Sequence, residues 1–128
     1  MTMDEKDFRL VYDETRSTVA FSGVLRLSDP SRFGGVQKFL LEVYDLEGPA
    51  LVLDFTALEF MNSAGISVLC KYIFTIKDLK PAKAVTVVGN GALLWQRKTF
   101  ENLPKIWDQV SVRFTEVLPP AGSPRVPR

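Results

Sequence analysis

The residues best placed to do chemistry stand together at Asn62-Ser63-Ala64-Gly65, directly before an apolar segment with helical spacing. The free backbone N–H groups and the dipole of a helix N-terminus favour an anion. A phosphoryl group on the Ser63 hydroxyl would gain hydrogen bonds there, and it would add a charge of about −1.5 to −2 to the surface. The alternative interpretation is that Asn62 and Ser63 simply cap the helix, and the residues alone favour this simpler interpretation.

The composition argues against other kinds of reactive site. The chain has no histidine and one cysteine, Cys70, so it lacks the commonest metal ligand and the commonest general base at neutral pH. Cys70 lies in the apolar arc of the predicted helix, which indicates a buried structural thiol. The turn Gly89-Asn90-Gly91 lacks the spacing of a phosphate-binding P-loop. We therefore expect no catalytic residue, no metal site and no cofactor.

A strand, a loop and a helix would position Ser63. Ala50–Asp54 is apolar without alternation, which is typical of a strand that is covered on both faces. The pattern then predicts a loop over Phe55–Met61 and a largely buried helix from Ser63 to about Leu79. Loops that follow the strands of open α/β sheets commonly form the ligand or partner site. The exposed strip predicted on this helix comprises Ser67, Lys71, Phe74, Thr75 and Asp78.

The complete order of predicted elements is β-β-α-β-α-β-α-β. The other strands are predicted at Phe8–Tyr12, Thr18–Val24, Ala84–Val88 and Val110–Phe114, and the other helices at Pro30–Leu46 and Ala92–Leu103. A hairpin followed by βα units predicts an α/β fold with a mixed, mostly parallel sheet and helices packed against it. We expect an N-terminal lead over residues 1–7, one domain over residues 8–117, and a disordered proline-rich tail over residues 118–128.

Charge and hydropathy limit the possible partners and location. The formal net charge is +1 and the basic residues form no run, so there is no electrostatic reason to expect binding to nucleic acid or to an anionic membrane. No apolar segment reaches the roughly 18 residues that a membrane span needs, and the polar N-terminus is unlike a signal peptide. A single cysteine suits a reducing compartment. We expect a cytoplasmic protein that is a monomer or a weak homodimer.

Three segments resemble the STAS domain, which is the fold of bacterial anti-sigma factor antagonists. Leu51-Val52-Leu53-Asp54-Phe55-Thr56 is similar to the family's strand that ends in an aspartate-containing segment. Phe60-Met61-Asn62-Ser63-Ala64-Gly65-Ile66 is similar to the family's loop and helix start, where its motif reads Asp-Ser-Ser-Gly-Leu. Phe21–Leu27 is similar to the second strand with its glycine. The resemblance covers roughly residues 8–115 and lacks the family's C-terminal helix.

The resemblance implies a regulatory, non-enzymatic function. In that family the antagonist binds an anti-sigma kinase, and phosphorylation of the Ser or Thr just before the glycine breaks the complex. Here Ala64 occupies that position and cannot be phosphorylated, while Asn62 replaces the aspartate and Ser63 keeps a hydroxyl one residue earlier. The implied function is therefore a protein-binding domain that is either unregulated or switched at Ser63. The implied partner is a serine kinase or phosphatase, or an anti-sigma factor.

The resemblance places the contact surface on the Phe55–Gly65 loop and the second helix. The residues expected to bind the partner are Phe60, Met61, Asn62, Ser63, Ala64, Gly65, Ser67 and Lys71. An alternative function remains open, in which the domain senses a small ligand or nucleotide, or acts as a scaffold, without phosphoregulation. The Gly89–Gly91 turn and Trp95 are the features that bear on this alternative.

Overall fold

Six strands form one sheet in the computed structural model of the chain, which describes residues 1–27, 30–46, 48, 50–80 and 82–115, with residues 30 and 31 as backbone only. The strands are β1 (Thr2–Asp4), β2 (Phe8–Asp13), β3 (Thr18–Leu25), β4 (Ala50–Met61), β5 (Ala84–Asn90) and β6 (Val110–Thr115). The α-helices are α1 (Pro30–Leu46), α2 (Ser63–Lys77) and α3 (Leu94–Phe100), and a 3-10 turn spans Leu103–Lys105.

The strands lie in the sheet in the same order as in the sequence. β1, β2 and β3 pair antiparallel, whereas β3, β4, β5 and β6 pair parallel. This arrangement confirms the predicted mixed sheet and the predicted order of elements. The structure adds β1, which pairs with β2 within the residues expected to be an N-terminal lead. The predicted tail, residues 118–128, lies outside the described residues.

All three α-helices pack on one face of the sheet. On α1, the Arg32 guanidinium lies 5.2 Å from the centre of the Phe8 ring of β2, and α1 packs in turn against α2. On α3, the Phe100 ring lies 4.7 Å from that of Phe55 of β4, and Phe55 stacks on Phe21 of β3 at 4.2 Å. The hydrophobic core therefore lies between this face and the helices.

β4 is much longer than predicted. The predicted loop over Phe55–Met61 is wrong, because β4 continues through this segment to Met61. Its register against β3 shifts twice, first between Ala20 and Ser22 and then between Gly23 and Val24, and each shift inserts one extra residue into β4. Such bulges break the two-residue alternation of a strand. The pattern of buried residues in this segment consequently does not look like a strand in the sequence.

The helix boundaries differ from the predictions at α2 and α3. α2 ends at Lys77, two residues before the predicted end at Leu79. α3 begins at Leu94 because the preceding turn is closed by the Asn90 side chain, whose Oδ1 accepts a hydrogen bond from Ala92 N at 3.0 Å. The predicted helix at Pro30–Leu46 matches α1.

Candidate functional site

Asn62 holds the N-terminus of α2 in place. Its Oδ1 accepts hydrogen bonds from Gly65 N at 3.0 Å and from Leu27 N at 3.3 Å. Its Nδ2 donates to Leu27 O at 3.1 Å. Asn62 is thus the N-cap of α2, and it also binds the segment that follows β3. Because an ionised aspartate has no donor, the bond to Leu27 O requires the amide of Asn62 and could not be made by a carboxylate.

Ser63 is the first residue of α2, and its side chain is exposed. The first N–H groups of an α-helix have no acceptor within the helix. Gly65 N is bonded to Asn62, so an anion on Ser63 would meet the N–H groups of Ser63 and Ala64 and the positive end of the helix dipole. Ala64 is half-buried and packs against the core.

Met61 and Gly65 do not reach the surface. Met61 is 4% exposed, and Gly65 is buried. A Cβ atom on Gly65 would lie 2.7 Å from Met61 Cγ and 3.3 Å from Leu25 O, so only glycine allows α2 to start this close to the strand ends. The prediction that these two residues contact a partner is therefore corrected, and they pack instead.

The exposed residues among the predicted contacts follow one side of α2. Ser63, Ser67 and Lys71 recur every four residues and are exposed, so they lie on the same helix face. Phe60, 40% exposed, precedes this face, and Phe74, 55% exposed, follows it. We call these five residues, Phe60, Ser63, Ser67, Lys71 and Phe74, the α2 strip. The α2 strip thus has an exposed phenylalanine at each end.

Phe60 is held in a cluster that the sequence did not reveal. The Arg26 guanidinium lies 5.2 Å from the centre of the Phe60 ring. The centres of the Trp95 and Phe60 rings are 6.5 Å apart. Arg26 follows β3 and Trp95 lies on α3, so only the fold brings these residues to Phe60. Arg26 carries no signal in the sequence as a site residue, and Trp95 bears only on the ligand-binding alternative.

The end of β4 is closed by side chains rather than by a neighbouring strand. β5 pairs with β4 only as far as Asp54. Beyond it, Gln96 Nε2 donates to Phe55 O at 2.7 Å and to Leu58 O at 2.9 Å, while Gln96 Oε1 accepts from Asn90 N at 2.7 Å. Gln96 is fully buried. This side chain therefore takes the place of a strand along the edge.

The features that favoured a ligand-binding alternative have structural roles. Trp95 Nε1 donates to Glu59 O at 3.0 Å, so the indole also closes the edge of β4. At the Gly89–Gly91 turn, a Cβ atom on Gly89 would lie 2.8 Å from a carbon of the Phe114 ring. The turn is thus packed against a side chain, and no observation here specifically favours a ligand.

The remaining candidates for chemistry are weak in the structure. Cys70 is half-buried, and burial raises the pKa of its thiol, which lowers its reactivity at neutral pH. Over the described part of the chain, no group of three or more His, Cys, Asp or Glu side chains could hold a metal ion. Among the helices described, none is long and apolar enough to cross a membrane.

Solved structures with the same fold come from regulatory proteins. A chain in the crystal structure of the diguanylate cyclase SiaD in complex with its activator SiaC, from Pseudomonas aeruginosa, matches with a TM-score of 0.66 and 10% identity over 90% of this chain and 99% of that chain. SiaC of Pseudomonas aeruginosa itself matches with a TM-score of 0.60 and 11% identity, over 92% and 96% of the two chains.

An anti-sigma factor antagonist from Mycobacterium paratuberculosis also matches, with a TM-score of 0.52 and 21% identity over 87% of this chain and 82% of that chain. No protein-family model and no curated protein sequence matches the chain. Identities this low establish the fold alone. The chain has the fold of the anti-sigma factor antagonists, which confirms the predicted STAS-like architecture.

Proposed function

We propose that the chain is a non-enzymatic regulatory domain that binds a protein partner through the α2 strip. The observation that carries this proposal is the pair of exposed phenylalanines, Phe60 and Phe74, at the two ends of a helix face made of Ser63, Ser67 and Lys71. Aromatic side chains are enriched in the buried centres of protein interfaces. The likeness in fold to an anti-sigma factor antagonist and to SiaC supports the same function.

The proposed partner is a serine kinase or phosphatase, or an anti-sigma factor, by analogy with the antagonist family. Its contact surface would place apolar side chains on Phe60 and Phe74 and an acidic side chain on Lys71. Binding would occlude the partner's other client. The lack of histidine in the sequence and the single half-buried thiol support a function without catalysis.

We further propose that phosphorylation of Ser63 weakens this complex. Ser63 is exposed at the start of α2, where the helix N-terminus stabilises a phosphoryl group. The added charge would lie in the centre of the contact between Phe60 and Ser67, and its desolvation would oppose binding. Ala64, at the position that the family phosphorylates, has no hydroxyl.

Binding measurements with kinases, phosphatases and anti-sigma factors encoded beside the gene test the proposal. We expect Phe60→Ala and Lys71→Glu each to weaken the complex at least about tenfold, which corresponds to about 1.4 kcal/mol. Lys98→Glu is the matched control, because Lys98 is exposed on α3 outside the strip. Equal binding by all three variants would rule out the α2 strip as the interface.

The phosphorylation step has its own test. Ser63→Asp should weaken binding, whereas Gln109→Glu should not, because Gln109 is exposed before β6, at the opposite end of the parallel strands. Incubation with the cognate kinase and ATP, followed by mass spectrometry, should place the phosphate on Ser63. Phosphate on another residue, or on none, would refute the switch at Ser63 and leave the binding surface to be judged by the Phe60 and Lys71 variants.

A further inference from the structure

The face of the sheet opposite the helices is open and mostly made of short side chains. Thr86 of β5 and Ser111 of β6 lie on it, with their hydroxyl oxygens 3.4 Å apart at the surface. Val88 lies on this face and is separate from the hydrophobic core cluster, and only 6% of it is exposed. None of the described helices packs here. A flat open face of this kind can accept another sheet.

Two opposite charges flank the middle strand of this face at the same level. The register places Asp54 of β4 and Arg113 of β6 on either side of Val88 of β5. Because neighbouring strands are about 4.8 Å apart, the two residues stand at equal distances from β5. Neither of them forms an ion pair with another described residue. Asp54 instead accepts hydrogen bonds from Thr56 N at 2.9 Å and Thr56 Oγ1 at 2.7 Å.

We propose that this face binds a second copy of the chain. The two copies are related by a two-fold axis that is parallel to β5 and lies midway between the two sheets. This axis places Asp54 of each copy opposite Arg113 of the other, so that two ion pairs form. It also places Thr86 of one copy against Thr86 of the other, while the buried Val88 lies beneath the contact. The surface is complementary to itself only because the two opposite charges are equidistant from β5, which is the requirement for a two-fold interface.

The proposed dimer is weak and independent of the α2 strip. The three strands β4, β5 and β6 span only roughly 14 Å of sheet, so the buried area falls below the roughly 800 Å² per partner of a standard interface. We expect a dissociation constant in the micromolar range or above. Since the helices occupy the other face, the dimer leaves the α2 strip free, and the inference goes beyond the proposed function.

Sedimentation equilibrium of the full chain over a wide concentration range tests the dimer. At low salt we expect reversible dimers, which dissociate as salt screens the ion pairs. Arg113→Asp should raise the dissociation constant at least tenfold. Asp54→Asn should raise it less, because the amide oxygen still accepts the bonds from Thr56 and only the charge is lost. A chain that stays monomeric at every concentration would overturn the proposal.

A charge-swap experiment tests the geometry. Arg113→Asp and Asp54→Lys should each dissociate the dimer alone, but an equimolar mixture of the two variants should form a heterodimer with two ion pairs. One pair joins the native Asp54 and Arg113, and the other joins the two substituted positions in reversed polarity. Circular dichroism checks that each variant is folded. Arg9→Asp is the control, because Arg9 lies on the same face of β2, outside the proposed contact. Equal weakening by Arg9→Asp, or failure of the mixture to associate, would refute the proposed axis.

Discussion

A single side chain, Asn62, makes both the helix cap and the contact between α2 and the segment after β3. It accepts from Gly65 N and Leu27 N, and it donates to Leu27 O. The amide provides an acceptor and a donor together, whereas an ionised carboxylate only accepts. Asn62 therefore fixes the start of α2 by hydrogen bonds that do not depend on charge.

We predict that Asn62→Asp destabilises the protein. The carboxylate keeps the cap on Gly65 N but loses the bond to Leu27 O and faces that carbonyl instead, which costs about 1–3 kcal/mol. Its charge gains only about 0.3–1 kcal/mol from the helix dipole. The free energy of unfolding from urea titration at pH 7 should thus fall by about 1 kcal/mol. Ser63→Ala, at the exposed neighbour, should change the free energy of unfolding by less than about 0.5 kcal/mol. An unchanged free energy of unfolding in Asn62→Asp would show that the bond to Leu27 O does not stabilise the fold.

At the scale of the elements, the extension of β4 depends on α3. Gln96 provides the hydrogen bonds that a further strand would make to Phe55 O and Leu58 O, and it also binds Asn90 N. Trp95 does the same at Glu59 O and supports Phe60 with its ring. The packing of α3 on the sheet therefore determines the position of Phe60 in the α2 strip.

We predict a large loss of stability for Gln96→Leu. The substitution puts an apolar side chain of similar volume in place of the amide and leaves three buried backbone groups without a partner, at about 1–3 kcal/mol each. The free energy of unfolding should fall by about 3 kcal/mol or more in urea titration. Lys98 is exposed two residues along the same helix, and the free energy of unfolding of Lys98→Ala should lie within about 0.5 kcal/mol of that of the native protein. Similar losses of stability in the two variants would show that the hydrogen bonds of Gln96 do not stabilise the end of β4.

Two glycines are predicted to respond to alanine in opposite directions. Gly23 has φ +87°, and a Cβ atom there would lie 2.4 Å from Asp7 O, so Gly23→Ala should cost at least about 2 kcal/mol. Gly34 lies within α1 with nothing within 4 Å of its Cβ position. Gly34→Ala should raise the stability by about 0.5–1 kcal/mol, since alanine favours the helix. Thermal unfolding measures the Tm of both variants. A shift in Tm of the same sign in both would contradict the expected opposite responses of the two glycines.

For the molecule as a whole, we predict that stability declines in alkali. Burial raises the pKa of Cys70, Tyr44 and Tyr72, most strongly at Tyr72, whose hydroxyl has no hydrogen-bond partner among the described residues. The unfolded chain ionises these groups near their ordinary values, about 8.5 for cysteine and 10 for tyrosine. Since the folded state stays protonated, stability is complete below about pH 8.5 and falls as the pH rises through about 10.

Urea unfolding between pH 7 and pH 11 measures this decline, with Tyr72→Phe as the matched variant. Removing a hydroxyl that has no partner should not reduce stability at pH 7, and it should make the alkaline decline shallower. An identical pH dependence in the native protein and in Tyr72→Phe would show that another group causes the decline.

Also at the whole-molecule scale, the fold separates two surfaces. The α2 strip lies on the side of the helices, and the open face of β4, β5 and β6 lies on the other side of the sheet. A partner on α2 and a second copy on the sheet would not compete for the same residues. Each proposal can therefore fail without affecting the other.

The sequence by itself determined the features that depend on neighbouring residues. Asn62 before an apolar helical pattern specified the start of α2, and the apolar runs at Ala50–Asp54 and Ala84–Val88 specified two buried parallel strands. Their order along the chain led to the mixed sheet and to the resemblance with anti-sigma factor antagonists. The same local pattern predicts Ser63 at the helix start, where its side chain is exposed.

Only the tertiary structure decided the features that depend on distant residues. The bulged half of β4 is a strand because β3 pairs with it and because Gln96, 38 residues after Leu58, bonds to its edge. Met61 and Gly65 became packing residues because α2 starts so close to Leu25. The positions of Asp54 and Arg113 on either side of β5 arise from the register of three separate strands. None of these pairings leaves a local pattern, so no reading of neighbouring residues could have predicted them.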